Sequence, residues 1–256
     1  FSSRRRHTRY GTVTGVQTCA LPISLGYQNL AAIFRARVVS GEWRIGQAIP
    51  SEASLAKEFG VALGTIRQAI AELAEDGVLI KRHGKSTAVS SGLNGQSMLR
   101  FFRYQLEGQK QILPQAKVLE CKQIKPDKEI LKSTGWKSKA LLRIQRTRLI
   151  HGQPLLYELI YLPLPQFKKL ARLKINEFDD LFYPMYARVC EIAVIKAKDQ
   201  VSFELMKKTD AKVLGMKEGH PGVRVTRIAY DLTGELVEYR SSIGDAMAFR
   251  YFAEVH

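Results

Sequence analysis

Polar side chains suited to contacting DNA occur in two short stretches of the sequence. Thr65, Arg67 and Gln68 lie on the side of one segment that faces away from its apolar residues, which recur at helical spacing. The planar guanidinium of Arg67 fits the paired acceptors of a guanine edge, and the Thr65 hydroxyl can donate to a phosphate. The second stretch is a basic run made of Lys81, Arg82, His83, Gly84 and Lys85. Both stretches therefore predict contact with a nucleic acid.

The elements that would present these side chains follow the order of a winged helix-turn-helix. Apolar spacing predicts a first helix over Tyr27–Val39. Ser51 predicts the N-cap of a second helix that ends at Gly60, and a third helix ends at Gly77. The run Val78–Val89 then predicts a small hairpin with a basic tip, a wing. Each element alone is common in protein cores, but the ordered combination is specific.

The residues of this segment resemble the GntR family of transcription regulators. The resemblance covers most of 26–90 and is carried by Ile49-Pro50-Ser51-Glu52, Leu55-Ala56, Phe59-Gly60-Val61, Thr65-Ile66-Arg67-Gln68-Ala69-Ile70, Leu73 and Asp76-Gly77. It implies that Thr65 and Arg67 approach DNA from the reading helix, and that His83 and Gly84 do so from the wing. The full set of expected DNA contacts is Ser51, Thr65, Arg67, Gln68, Lys81, Arg82, His83, Gly84 and Lys85.

The segment also departs from the family pattern in two places. Ala53 stands where many members carry a DNA-contacting arginine, and Ala62-Leu63-Gly64 replaces a Ser/Thr-Arg-x run before Thr65. We therefore expect either an operator that differs from the common one or a lower affinity.

One short motif in the predicted wing could be taken for part of a nucleotide-binding site. Gly84-Lys85-Ser86-Thr87 resembles the end of a phosphate-binding P-loop. Such a loop requires a glycine where Leu79 stands, and a helix that begins at the lysine. Since Thr87-Ala88-Val89 is strand-like, the sequence argues against nucleotide hydrolysis.

The remainder of the chain, 98–256, follows a small polar linker at 91–97 and mixes strands with helices. Strands are predicted over Ala140–Ile150, Leu155–Leu162, Ile192–Ala197, Val223–Tyr230 and Leu236–Ser242, and helices over Pro163–Leu170, Asp179–Val189 and Ala211–Leu214. Hairpins mixed with helices are typical of an α+β domain with a mainly antiparallel sheet.

This second part resembles the UTRA effector domain of the HutC-type branch of GntR regulators, which has a chorismate-lyase-like fold. The resemblance spans roughly 98–245 and is carried by Arg146, Arg148, His151-Gly152-Gln153-Pro154, Glu158, Tyr161-Leu162-Pro163, Leu214-Gly215-Met216, Gly219, Arg227, Tyr230-Asp231, Gly234 and Glu238. The fold class expected for the chain is thus α+β, a winged helix-turn-helix (25–90) followed by a UTRA domain that binds effector and dimerises.

The resemblance implies that Arg146 and Arg148 hold an anionic group of the effector, and that Glu158 and Glu238 hold its polar parts. Two residues that are two positions apart on a strand share one face, so both guanidiniums can converge on one anion. The same pattern also fits a solvated face, or an ion pair with Glu158 across the hairpin. The sequence leaves these interpretations open.

Composition narrows the class of protein without identifying it. The net charge is +16, but the segment 25–90 contributes only +2, so bulk charge gives weak support to DNA binding. Three widely spaced cysteines, Cys19, Cys121 and Cys190, form no disulfide framework and fit a reducing cytoplasm. No apolar run approaches the roughly 18 residues that span a bilayer. We expect no metal and no cofactor.

Residues 1–24 differ from the rest of the chain and resemble a translated sequencing adapter. The alternative is a basic arm that enters a DNA groove. If the segment is an adapter, its deletion should leave folding and operator affinity unchanged. A basic arm would instead supply phosphate contacts, and its loss would reduce the salt dependence of DNA binding. Affinity measured over a range of salt concentrations separates the two.

The resulting function hypothesis is a DNA-binding transcription regulator, expected to be a repressor. It would act as a homodimer on double-stranded operator DNA, under the control of a small and anionic metabolite. A first alternative is a constitutive DNA-binding dimer that binds no effector. A second is a lyase, but the sequence shows no nucleophile elbow and no paired catalytic carboxylates, so we expect no enzyme.

Overall fold

The computed structural model describes residues 26–81, 86–92 and 114–249. Several sequence predictions lie outside these ranges, namely the adapter-like 1–24, the wing contacts Arg82, His83, Gly84 and Lys85, and most of the linker. Among the described residues, no helix is long and apolar enough to cross a membrane. Nor do the described ranges contain a group of three or more His, Cys, Asp or Glu side chains that could hold a metal ion.

The N-terminal part is a three-helix unit with a small hairpin. Its elements are α1 (Tyr27–Val39), α2 (Glu52–Phe59), α3 (Leu63–Glu75), β1 (Leu79–Lys81) and β2 (Thr87–Val89). Ser51 caps α2, since its hydroxyl accepts a hydrogen bond from the backbone nitrogen of Ser54 at 3.1 Å. Gly60 ends α2 in the left-handed conformation, with φ of 62°. Leu30, Phe34 and Ile70 are fully buried where the helices meet.

The C-terminal part is built on one six-stranded antiparallel sheet. In chain order its elements are β3 (Gln115–Ile124), α4 (Lys128–Thr134), β4 (Leu141–Ile150), β5 (Gln153–Pro163), α5 (Phe182–Cys190), β6 (Val194–Leu205), α6 (Lys208–Leu214), β7 (Pro221–Asp231) and β8 (Leu236–Asp245). The spatial order is β3-β4-β5-β8-β7-β6. β3 and β6 are therefore the edges of the sheet. The expected α+β class with a mainly antiparallel sheet is confirmed.

The strand register determines which side chains meet on each face of the sheet. Arg146 on β4 lies opposite Glu158 on β5, which in turn lies opposite Ser242 on β8. Helix α5 covers this face, where Phe182 and Tyr186 join an apolar cluster with strand residues. Helix α6 packs on the other face in a smaller cluster, formed by Tyr157, Met206, Ala211, Leu214 and Ile243.

Two predictions about the sheet domain need correction. The helix predicted over Pro163–Leu170 does not form, because β5 ends at Pro163 and turns then lead into a 3₁₀ turn at Leu170–Arg172. Phe167 and Leu170 are both fully buried, so their helix-like spacing reflects the packing of a turn. The strand that begins near Ile192 runs on to Leu205, well past the predicted end, because its pairing with β7 continues through a segment with exposed side chains. Strand β3 and helix α4 were not predicted from the sequence.

Candidate functional site

Helix α3 presents its polar side away from the core. Ile66, Ala69 and Ile70 are fully buried against the other helices. On the outward side, Arg67 and Gln68 are exposed. The structure therefore places Arg67 and Gln68 on the outward side, as the spacing of the residues indicated, whereas Thr65 is half-buried.

The side chain of Arg67 is held in place at the surface. Its Nε donates to Glu52 Oε2 at 2.8 Å, and 61% of the side chain is exposed. The hydroxyl of Ser51 accepts the capping hydrogen bond of α2, and Ser51 itself is exposed. Lys81 is exposed at the end of β1.

The second cluster of polar residues is buried under α5. Arg146 and Glu158 are 2% and 3% exposed, and Arg146 Nε donates to Glu158 Oε2 at 2.5 Å. Of the two alternatives to an effector contact, a solvated face and an ion pair across the hairpin, the structure shows the ion pair. Arg148 lies on the same face, and its Nη1 donates to the backbone oxygen of Asp180 at 2.6 Å.

Glu238 occupies the other side of this cluster. It is fully buried and accepts hydrogen bonds from the hydroxyls of Tyr183, at 3.1 Å, and Tyr186, at 2.8 Å. Arg240 joins the two carboxylates, because its Nη2 lies 2.8 Å from Glu238 and its Nη1 lies 3.5 Å from Glu158.

Sequence reasoning missed three members of the cluster, Arg240, Tyr183 and Tyr186. Arg240 was detectable, since it stands two residues after Glu238 on a strand and must share its face. The two tyrosines belong to α5, and only the packing of that helix on the sheet brings them to Glu238.

The cluster carries more positive than negative charge. Arg146, Arg148 and Arg240 face two buried carboxylates, Glu158 and Glu238, and the carboxylate of Asp180, which also interacts with Arg148, is exposed. Burial, together with the charge of the neighbouring Arg146, lowers the pKa of Arg148 to about 9. Burial alone would raise the pKa of Glu158, but the three arginines hold it well below its ordinary range.

Some donor atoms of the cluster are buried without an acceptor. Arg146 Nη1 and Arg240 Nε have no hydrogen-bond partner among the described residues. The guanidinium carbon of Arg146 also lies 3.8 Å from the centre of the Phe182 ring, so α5 covers this arginine directly. Surplus charge and unused donors together suit an anionic group with several acceptor oxygens.

Comparison with known proteins finds a matching family model for each of the two parts of the chain. The model of the UTRA domain matches residues 109–250, more than half of the chain. The chain belongs to the UTRA-domain family. The model of the bacterial regulatory proteins of the gntR family matches residues 26–89, so the reading helix and hairpin lie within a GntR-type unit.

Relatives of this UTRA-domain protein are named as transcription regulators. The HTH-type transcriptional repressor NagR of Bacillus subtilis is 24% identical over 91% of this chain and 96% of its own length. The regulator SmoD of Agrobacterium fabrum is 27% identical over 90% and 95%. Among solved structures, PhnF of Mycobacterium smegmatis superposes with a TM-score of 0.51 at 23% identity, over 88% of this chain and 98% of PhnF, which supports the same fold.

Proposed function

We propose that this UTRA-domain protein is a transcription regulator whose binding to operator DNA is changed by a small anionic metabolite. The observation that carries the proposal is the buried cluster of three arginines, Arg146, Arg148 and Arg240, around two buried carboxylates, beneath a helix whose following segment packs on the DNA-binding part. The regulator names of the relatives support the DNA-binding half of the proposal. Ser51, Thr65, Arg67, Gln68 and Lys81, together with the wing tip 82–85, would contact DNA.

The segment that follows α5 packs on both parts of the chain. Ala193 and Ile195 pack in the apolar core of the helical unit, whereas Val194 between them packs in the core of the sheet domain. The backbone nitrogen of Ile192 donates to the carbonyl of Tyr186 at 3.2 Å, which ties this segment to α5. A movement of α5 would therefore displace residues that support the reading helix.

Two further contacts hold the parts together. Leu232, in the turn between β7 and β8, is buried in the helical unit's core. Gly92 approaches Val194 so closely that a Cβ at this position would lie 2.9 Å from the carbonyl oxygen of Val194. A cleft of about 290 Å³ lies beside these contacts and is lined by residues of both parts, among them Arg35, Asp76, Ile195, Lys196, Lys198 and Tyr230.

The test of the effector is a thermal-shift series on the full chain. The probes are inorganic phosphate, hexose 6-phosphates and small dicarboxylates, each sugar phosphate paired with its unphosphorylated sugar. We expect an anion to raise the melting temperature and the neutral sugar to have a much smaller effect, because binding to the folded state stabilises it by mass action. If no anion shifts the transition, the constitutive dimer becomes the better hypothesis. Release of pyruvate from chorismate would instead indicate a lyase.

Loss of the Leu232 contact is expected to uncouple effector binding from DNA binding. In wild type, a stabilising anion should change operator affinity by about 5–150-fold, the usual range of allosteric coupling. In Leu232→Asn, operator affinity should be nearly the same with and without the anion. The thermal shift by the anion should remain, since the effector site is untouched. Glu235→Gln, in the same turn but exposed, is the matched control. An unchanged ratio in the Leu232→Asn variant would contradict this route of coupling.

A homodimer is the expected functional unit. One winged helix presents a single short reading helix, so such modules act in pairs on two half-sites. The sheet domain is the part expected to supply the dimer contact.

A further inference from the structure

The cleft between the helical unit and the sheet domain carries positive charge from both parts. Arg35 lines it from α1, and Lys196 and Lys198 line it from the beginning of β6. The two lysines stand two positions apart on the strand, so their side chains leave the same face of the sheet. Both lysines are exposed, whereas the adjacent Ile195 packs against the core of the helical unit. The start of β6 therefore holds two cations beside that unit.

The carboxylates that line the cleft already have hydrogen-bond donors of their own. Asp76 Oδ2 pairs with Arg35 Nη2. Asp231 Oδ1 accepts hydrogen bonds from two backbone nitrogens of the turn between β7 and β8, at 2.9 and 3.1 Å. Asp231 thus serves to close that turn, and Asp76 serves to neutralise Arg35.

The two lysines have no such partner within the described part of the chain, where neither of them forms an ion pair. Asp199, the acid next to Lys198 in sequence, pairs with Arg227 instead. The Nζ of Lys198 lies 5.9 Å from the centre of the Tyr230 ring, which is a weak contact for a cation. Like charges that line a concave surface concentrate a positive potential inside it. The cleft is therefore suited to an anion.

We propose that this cleft binds a diphosphate group, which bridges Arg35 of the helical unit to Lys196 and Lys198 of the sheet domain. Guanidinium and ammonium groups form strong, charge-assisted hydrogen bonds with phosphate oxygens. A diphosphate carries these oxygens on two neighbouring phosphorus atoms, so it can reach three cations on two elements better than a single phosphate can. The cleft measures about 290 Å³ and has room for a small organic group beside the ring of Tyr230.

Such a ligand would hold the two parts of the chain in the arrangement described above. It would contact α1 and β6 at once, and α1 belongs to the unit that carries the reading helix. The site goes beyond the proposed function, because it requires neither the buried arginine cluster nor DNA. The chain would then have a second ligand site in addition to the effector site under α5.

The first test is isothermal titration calorimetry of the full chain with inorganic pyrophosphate, adenosine diphosphate and inorganic phosphate. We expect both diphosphates to bind and phosphate to bind far more weakly. A higher affinity for the nucleotide would indicate an organic diphosphate as the ligand, and equal affinities would indicate pyrophosphate itself. A charge-assisted contact contributes about tenfold in affinity, so the double variant Lys196→Gln, Lys198→Gln should bind pyrophosphate about 100-fold more weakly.

The matched control is the double variant Lys207→Gln, Lys208→Gln. It removes two exposed lysines that follow the far end of β6, and it should bind pyrophosphate as wild type does. Both double variants replace exposed side chains, so their melting temperatures should match that of wild type. The absence of pyrophosphate binding in wild type, or equal binding by the two double variants, would overturn the cleft site.

Arg148→Met separates the cleft from the buried cluster. This variant should bind pyrophosphate with the affinity of wild type, because Arg148 lies under α5 and not in the cleft. If Arg148→Met loses pyrophosphate binding and the variant of Lys196 and Lys198 keeps it, the ligand occupies the cluster. That result would overturn the cleft site and support the proposed function.

Amide hydrogen exchange tests the bridge between the two parts. In wild type, pyrophosphate should slow exchange both in α1 around Arg35 and at the start of β6, since a bridging ligand suppresses local opening on both sides. In the double variant of Lys196 and Lys198 it should slow exchange in neither. Slower exchange in the sheet domain alone would contradict a bridge to the helical unit.

Discussion

Replacing Arg148 with methionine is expected to stabilise the folded chain and to abolish anion binding. Within the buried cluster, burial and the neighbouring Arg146 lower the pKa of Arg148 to about 9, so the charge of Arg148 opposes folding at neutral pH. Removing that charge should raise the melting temperature by about 2–4 °C, the shift that 1 kcal/mol gives in a chain of this size. The thermal shift produced by a bound anion should disappear at the same time.

The same substitution at Arg146 is expected to have the opposite effect on stability. Arg146 is the direct partner of Glu158, and without it that buried carboxylate keeps only the neutral hydroxyl of Ser242 at 3.0 Å and the more distant Arg240 Nη1 at 3.5 Å among its direct contacts. Breaking a buried ion pair on one side costs about 3–5 kcal/mol. Arg146→Met should therefore lower the melting temperature by roughly 6–20 °C.

The stabilising effect of Arg148→Met is expected to become smaller as the pH rises. Because burial lowers the pKa of Arg148, the folded chain releases this proton at a lower pH than the unfolded chain, which has the ordinary arginine pKa of 12.5. The unfolded state then binds more protons, so wild-type stability gains from this group as the pH rises. The difference in melting temperature between Arg148→Met and wild type should narrow from pH 7.5 to pH 10.

Arg143 supplies the control for both substitutions. It lies on β4 with its side chain on the other face of the sheet, where Nη2 donates to Glu120 at 2.6 Å. Arg143→Met removes a guanidinium from the same strand and should leave the thermal shift by an anion intact. Equal destabilisation by Arg146→Met and Arg148→Met would refute the division of roles between the two arginines.

Arg67→Ala is expected to weaken operator binding by about 1–3 kcal/mol, which is roughly 5–150-fold in affinity. The estimate assumes that the terminal nitrogens of the guanidinium read a guanine edge while Nε stays with Glu52. An exposed ion pair contributes little to folding, so the variant should melt close to wild type. Any loss of affinity then reports on DNA contact.

The measurement needs a duplex that wild type itself selects from a random-sequence library. The affinity for that duplex measures specific binding, and the affinity for an unselected duplex measures non-specific binding. Arg35→Ala is the control, since Arg35 also forms an ion pair, with Asp76 beyond the C-terminal end of α3. Arg67→Ala should reduce the preference for the selected duplex, whereas Arg35→Ala should preserve it. Full preference in the Arg67→Ala variant would remove this residue from the reading surface.

Local signals in the sequence were sufficient for the helical unit. The bounds of α1, the cap at Ser51 and the end of α2 at Gly60 depend on residues within one or two turns, so they can be recognised without the rest of the fold. The alternation of Arg146 and Arg148 likewise predicted that both would share one face. The DNA contacts themselves remain predictions.

Tertiary structure alone decided the composition of the buried cluster and the extent of the sheet. Tyr183 and Tyr186 reach Glu238 across more than fifty positions of sequence, and no local pattern records such a contact. Pro163–Leu170 has helix-like apolar spacing but forms turns, because burial of Phe167 and Leu170 against the sheet produces the same spacing. β6 runs to Leu205 because β7 supplies backbone hydrogen-bond partners along its whole length, and these outweigh the local preference of an exposed segment.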